Sequence, residues 1–356
     1  MDIKNWRPIT ICSVLRRVIE RVLDRRLREF VNFNPNQRGF NKTSGTHINT
    51  ALLDCILHEA KVNKTTVAIV FLDIKKAFDN IGHDHLSKTL MALPLPTKLR
   101  NLIINLQLNN TTQITSQGCK TKPIILARGV MQGSPLSPAL FNLTIDHILN
   151  DLCEHHITTT YGFQLLPDQN PLTVMGFADD IVIIGKNIES AVLLANSAIQ
   201  QFNEIGLEIN MDKSQGICIN NGRLTEQNFI FSPEKIIPCL KKGEIIRYLG
   251  VNFSDEINFN SAIALNTLKT SLELLISSPL LQADQKFVIL NTSICPSLIY
   301  PFQTVPTHKI PTKFITDADT MVRGALKELL QLPADIPNDM LYADTKFKGL
   351  GRFCSK

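Results

Sequence analysis

No Cys-x-x-Cys pair occurs in this chain of 356 residues, whose eight cysteines (positions 12, 55, 119, 153, 218, 239, 295 and 354) are scattered. That excludes a zinc finger of ordinary spacing and a disulfide framework as organising devices. The nearest approach to a metal cluster, Cys153 with His155 and His156, fits no usual finger and reads as a polar helix end. Long apolar runs are missing as well. The longest stretches, such as residues 66–72 and 181–184, are far shorter than the ~20 residues a bilayer span needs. The N-terminus lacks the charged-then-apolar pattern of a secretory signal. A soluble intracellular protein with no membrane partner is therefore expected. Internal repeats and low-complexity tracts are also absent. With 44% hydrophobic and 19% charged residues, the composition is that of a packed globular chain. The length suffices for two or three domains or one multi-lobed unit.

What charge there is lies unevenly. The net +5 conceals eight Lys/Arg in residues 1–30 (Lys4, Arg7, Arg16, Arg17, Arg21, Arg25, Arg26, Arg28) against four acids. From Asp255 onward, ten bases balance ten acids. A basic N-terminal helix is either a solvated face or a surface for phosphates, and composition does not choose between them.

Periodicity organises the rest. Residues 12–30 read as an amphipathic helix, with Val14, Leu15, Val18, Val22, Leu27 and Phe30 at helical spacing. Asn34-Pro35-Asn36 breaks it, and residues 45–61 look helical again. Residues 66–72 form a continuous β-branched and aromatic run, a buried strand from which Asp73 emerges at the edge. A loop and helix follow over 75–93, and residues 111–115 and 123–126 suit a hairpin. The Gly-, Pro- and Ser-rich stretch 129–138 leads into a helix over 140–152. In residues 175–184 two aspartates lie between two apolar runs, the pattern of a tight hairpin. A helix over 188–205, strands at 207–210 and 216–219, and a strand pair over 245–253 complete this part. Beyond Ser254 the text changes to Leu-rich helices broken by prolines, and a domain boundary is expected there.

Three acids stand out: Asp73 at the end of one buried strand, and Asp179 and Asp180 in a turn between two others. Hard divalent cations prefer carboxylate oxygens. A strand end beside a hairpin tip can hold two such ions about 3.5–4 Å apart. Adjacent aspartates repel, and a bound cation is one reason to keep them together. A solvated Asp-Asp turn is the alternative.

Seven ordered blocks resemble the reverse-transcriptase family. Asn5-Trp6-Arg7-Pro8-Ile9-Thr10 is similar to the fingers motif of non-LTR elements, and Gln37-Arg38-Gly39-Phe40 follows. Residues 71–79, Phe-Leu-Asp-Ile-Lys-Lys-Ala-Phe-Asp, look like the first palm motif, and residues 128–141, which open Arg-Gly-Val-Met-Gln-Gly-Ser-Pro, like the second. Phe177-Ala178-Asp179-Asp180 looks like the third, residues 206–213 like the fourth, and Tyr248-Leu249-Gly250 like the primer grip. Residues 7–15, 35–40, 332–337 and 348–351 are most similar to site-specific type-1 non-LTR retrotransposons that insert into ribosomal RNA genes. Ser134 departs from that clade, which usually has Asp there; related enzymes carry small residues at the position.

The resemblance implies an α/β (α+β) right-hand polymerase. Fingers and palm would span about 1–254, with an antiparallel sheet packed on helices, and a helical thumb and start of a connector 255–356. It implies an RNA-directed DNA polymerase that takes RNA template, DNA primer or target DNA, and dNTPs. Two Mg2+ would be bound by Asp73, Asp179 and Asp180. Phe78 would lie under the incoming sugar and exclude a 2′-hydroxyl, with core packing as its alternative. Gln132, Gly133 and Ser134 would contact nucleotide and let the template backbone approach. Arg7 and Arg17 would reach triphosphate or template. Lys213 would protonate the leaving pyrophosphate or merely pair with phosphate. A nuclear fragment of a longer polyprotein is expected, with DNA-binding and endonuclease parts lying elsewhere and priming from a nicked genomic target. Two rivals remain. One is another polymerase, of group II intron, telomerase or viral RNA-copying type; Phe78 and the Ala-Asp-Asp turn disfavour the last. The other is a decayed or domesticated copy that binds RNA without catalysis, against which the three intact aspartates speak.

Overall fold

The computed structural model describes residues 10–342 apart from 109 and 117. Ser13 caps the first helix, α1 (Val14–Leu27), by accepting from the Arg16 amide at 3.3 Å. Then come α2 (Gly45–Val62), the strand β1 (Val67–Asp73), and the helices α3 (Ala77–Asn80), α4 (His83–Ala92) and α5 (Thr97–Gln107). A small ribbon follows, in which β2 (Thr111–Thr112) pairs with β5 (Ile124–Ile125), and β3 (Thr115–Ser116) with β4 (Cys119–Lys120). Two helices, α6 (Ser137–Leu152) and α7 (His155–Tyr161), precede the hairpin β6 (Val174–Phe177) and β7 (Asp180–Gly185). After α8 (Ile188–Glu204) come β8 (Gln215–Asn220), β9 (Arg223–Thr225) and a separate hairpin, β10 (Phe229–Ser232) with β11 (Lys235–Ile237). A small sheet joins β12 (Ile246–Tyr248), β13 (Val251–Phe253) and β14 (Ile257–Asn258). The remainder is helical: α9 (Ser261–Ser277), α10 (Ala283–Ile289), α11 (Cys295–Thr304), α12 (Thr312–Leu329) and α13 (Asn338–Tyr342).

The mixed helix-and-sheet architecture matches expectation, and its main sheet is antiparallel throughout, in the order β6-β7-β1-β8-β9. Strand β1 sits in the middle and is covered on both faces. Ala68, Val70 and Leu72 join a core built with Leu140 and Phe141 of α6 and Leu194, Ala198 and Phe202 of α8. The α2 helix packs on β1 and β6 and buries Leu53, Ile56, Leu57 and Ala60 outside that cluster. Successive side chains of a strand point to opposite faces, so a doubly covered strand must be apolar at every position. That is why residues 67–72 read as a continuous run rather than an alternating one.

Two expectations fail in detail. Of the six apolar positions assigned to the first helix, Leu27 alone is buried; Val14 and Leu15 are 75% and 72% exposed. The covered stripe is Glu20, Leu23 and Leu27, a face that the apolar pattern alone does not mark. The strand expected over 207–210 reduces to one antiparallel bridge, Ile74 with Ile209. The chain turns at once, the amides of Lys213 and Ser214 both donating to Asn210 O.

By its contacts the chain forms two compact units. The first runs through Ile246 and takes back Ser254–Glu256; the second comprises Arg247–Phe253 and the chain from Ile257 on. The second has its own core, Leu268, Leu272 and Leu275 of α9 against Val322, Leu326 and Leu329 of α12.

Candidate active site

Several of the residues singled out along the sequence meet at one end of the central sheet. Antiparallel pairing of β1 with β7 sets Asp73 directly opposite Asp180. Residues so opposed typically have Cβ atoms about 4.5–5.5 Å apart on one face. The β6–β7 hairpin pairs Phe177 with Asp180, leaving Ala178 and Asp179 as its tip. Ala178 has φ 54°, the left-handed conformation that two-residue hairpin turns require and that alanine resists.

Both sides of this arrangement are held by residues to which the sequence assigned no role: Ser214, outside every motif block, and Gln37, inside one. The Asp73 amide donates to Ser214 Oγ at 3.2 Å, and Asp73 O accepts from the Asn210 amide at 2.7 Å. Ser214 is fully buried and its hydroxyl also donates to Asn210 O at 2.8 Å. At the tip, Gln37 is 1% exposed. Its Oε1 accepts from the amides of Ala178 (2.8 Å) and Gly39 (2.9 Å), and its Nε2 donates to Ala178 O (3.1 Å).

Asp73 and Asp179 line a cleft of about 1010 Å³, with Phe40, Lys75, Phe78, Asp79, Arg128, Gln132, Gly133, Ser134 and Lys213 among its other walls. Asp73 and Asp179 are half-buried and Asp180 is exposed. Carboxylate oxygens of this kind suit magnesium, and opposed like charges favour a cation between them. The donor chemistry therefore fits, although among the described residues no three His, Cys, Asp or Glu side chains already converge on a point an ion could fill. The same holds for Cys153, His155 and His156, which mark the junction of α6 and α7.

Phe78 lies at the cleft wall with its ring stacked on Phe141 (centroids 4.8 Å apart, planes at 12°). Phe40 touches it edge-on at 5.9 Å. The half-buried ring is thus packed on one side and open to the cleft on another.

Gln132 has a partner inside the protein: its Nε2 donates to Asp79 Oδ1 at 2.9 Å. Gly133, at φ 117°, is crowded by the protein's own chain, since a Cβ there would lie 2.4 Å from Thr10 O. The Thr10 amide donates to Gln132 O at 2.7 Å. The backbone that comes close to this glycine is residue 10 of the same chain. Ser134 is buried and its Oγ accepts from the Leu136 amide at 3.3 Å. An aspartate could make the same bond two residues ahead, which accounts for the exchange of Ser for Asp.

Lys213 is exposed at the rim of the cleft. Arg17 is exposed on α1 and does not line the cleft. Its neighbour Arg16 is occupied, with Nε 2.8 Å from the buried Glu20 Oε1, Nη2 donating to Leu106 O (2.6 Å) and Nη1 to Asn110 Oδ1 (3.2 Å). Arg7 and residues 348–351 lie outside the described residues.

Tyr248, Leu249 and Gly250 belong to the second unit. Tyr248 ends β12, and Leu249 and Gly250 form its turn into β13, with φ 45° and 79°. Tyr300 donates its hydroxyl to Leu249 O, and a Cβ at Gly250 would stand 3.2 Å from the Tyr300 ring.

Residues 2–253 match the family described as reverse transcriptase (RNA-dependent DNA polymerase). Over 356 residues the chain is 30% identical to the retrovirus-related Pol polyprotein from type-1 retrotransposable element R2 of Popillia japonica, covering 98% of this chain and 48% of that protein. It is 29% identical to the Pol polyprotein from type-2 retrotransposable element R2DM of Drosophila melanogaster, over 98% of this chain and 32% of that one. The chain thus spans half or less of the length of these curated relatives. A solved structure of telomerase from Candida tropicalis, in complex with a fragment of telomeric RNA, aligns with 90% of this chain and 53% of its own at 14% identity and a TM-score of 0.47.

Proposed function

The chain belongs to the reverse transcriptase (RNA-dependent DNA polymerase) family, and from that premise we propose that it polymerises DNA on an RNA template from a DNA primer and dNTPs. The observation that carries the reading is the register of Asp73 against Asp180, with Asp179 beside them and Phe78 and Lys213 along the same cleft. Two divalent ions held by the three carboxylates would lower the pKa of the primer 3′-hydroxyl and steady the triphosphate. The protein's own part is positional. The sheet holds Asp73 and Asp180 face to face, Phe78 closes the space beneath the sugar, and Lys213 offers a proton or a positive charge at the leaving pyrophosphate.

Finer assignments follow the same reading. Residues 255–356 act as the thumb, and Tyr248, Leu249 and Gly250 grip the primer. Arg7 and Arg17 meet template or triphosphate. The polymerase is primed from a nicked genomic target in the nucleus, within a longer polyprotein that supplies the nick.

Primer extension on RNA with purified protein and magnesium tests the reading. Extension by the wild type and none by Asp179→Asn or Asp180→Asn is expected, with RNA retention unchanged, because each change removes a metal ligand and not a phosphate contact. RNA retention without extension by the wild type would favour a binding protein, and normal extension by either variant would sink the metal assignment.

A further inference from the structure

We propose that Gln37 is a positioning residue that holds the Ala178–Asp179 turn in the geometry that presents the Asp179 carboxylate to metal. The inference rests on the polymerase reading for the role of Asp179; the contacts that support it do not.

Asp180 is fixed by the strand ladder, being paired with both Asp73 and Phe177. Asp179 is at the tip, outside the ladder, and its direction depends on the dihedral angles of Ala178. Those angles are unusual, with φ 54° in a residue that has a Cβ. Gln37 takes both polar groups of Ala178, accepting from its N–H and donating to its C=O. Gripping the peptide on each side of one Cα restrains its φ and ψ together.

The clamp is itself rigidly mounted. The Arg38 amide donates to Gly176 O (2.9 Å) and the Gly176 amide to Asn36 O (2.8 Å), so residues 36–38 extend the sheet beyond β6 by one parallel bridge. Asn142 of α6 donates to Gly39 O at 2.9 Å. A Cβ on Gly39 would lie 2.2 Å from Ala178 N, so the segment is seated against the turn as closely as backbones allow. A buried glutamine that merely satisfied polar groups for folding would be indifferent to what the turn presents.

The test compares wild type, Gln37→Met, Ala178→Gly and the double variant. Methionine keeps the length and loses the hydrogen bonds. Glycine at 178 adopts positive φ without steric cost and so lessens the need for a clamp. Four quantities are measured: melting temperature, affinity for primer–template, the magnesium dependence of primer extension, and Mn2+ binding by electron paramagnetic resonance. Gln37→Met is expected to weaken Mn2+ binding and lower the saturating extension rate by roughly 10–100-fold, the usual effect of losing a partner behind a metal ligand. Primer–template affinity should stay the same. The double variant should recover about tenfold of that loss, a non-additivity that reports coupling between the two positions.

Wild-type metal affinity and rate in folded Gln37→Met overturn the proposal, as do losses in the double variant that simply multiply. Should Gln37→Met fail to fold, Gln37→Glu, which keeps both accepting contacts and loses the donated one, carries the same measurements. Failure of that variant to fold as well assigns Gln37 to folding and overturns the proposal. A wild type that extends no primer, yet loses Mn2+ affinity on Gln37→Met, would fell the polymerase reading and leave the clamp standing.

Discussion

Phe78 is packed on one side and faces the cleft on another. Its stack on Phe141 and edge contact with Phe40 fix its plane while leaving it at the cleft wall. Shrinking Phe78 to Val is expected to raise incorporation of rNTP relative to dNTP, read as the ratio of two kcat/KM values so that general damage partly cancels. A fully buried aromatic commonly costs about 3–5 kcal/mol on truncation to Ala; for this half-buried ring we expect about 1–3 kcal/mol by thermal melting. An unchanged ratio in a folded variant would assign the ring to packing alone. Ser214 is the opposite kind of residue, invisible as a motif yet bonded to the Asp73 amide. Ser214→Ala leaves that amide without its partner, at a cost of about 1–3 kcal/mol. Extension should fall with it by about tenfold, as the end of β1 shifts. A variant as stable and as active as wild type would show that the hydroxyl holds nothing of consequence.

Among the elements, β1 and the β6–β7 hairpin were legible in the sequence because burial on both faces leaves an unbroken apolar run that stops at a charge. The helix α1 was legible as a helix, but its buried stripe was not. Its buried stripe contains Glu20, and Arg16 folds back onto Leu106, Asn110 and that glutamate. A charge buried with its partner looks, in sequence, like two more solvated residues. The consequence for nucleic-acid binding is specific. Arg16→Ala should destabilise the protein by roughly 2–3 kcal/mol, discounted from the ~3–5 kcal/mol of a fully buried pair because Arg16 is partly exposed. Arg17 and Arg21 are exposed; replacing those two together should flatten the slope of log affinity against log salt by about 1.4 on single-stranded template if both meet phosphate. An unchanged slope would make α1 a solvated face.

At the scale of the whole molecule, the order of the motif blocks was readable and the contacts that join them were not. Ser214 meets Asp73 and Gln37 meets Ala178 across 141 residues, and Arg16 reaches Leu106 across 90. Periodicity is a local property and carries no information about such pairs. The text changes after Ser254, but Arg247–Phe253 already goes with the second unit, where Tyr300 bonds to Leu249 O. The separate core of that unit makes its own prediction. Leu326 is fully buried between α9 and α12, and Leu326→Ala should cost about 2–5 kcal/mol. Amide exchange should quicken in α9 and α12 and stay slow in β1, whereas uniform acceleration would mean that the two cores melt as one.

The clamp at the hairpin tip also has a calendar. A ribosome adding about 5–20 residues per second delivers Ala178 roughly 7–28 s after Gln37, given the 141 residues between them. Until then the emerging protein has Asp73 without the two residues of the β6–β7 hairpin that stand beside it. The central sheet closes later still, because β8 and β9 follow the hairpin, and pulse proteolysis of chains stopped at successive lengths should find it protected only once residue 225 has cleared the exit tunnel.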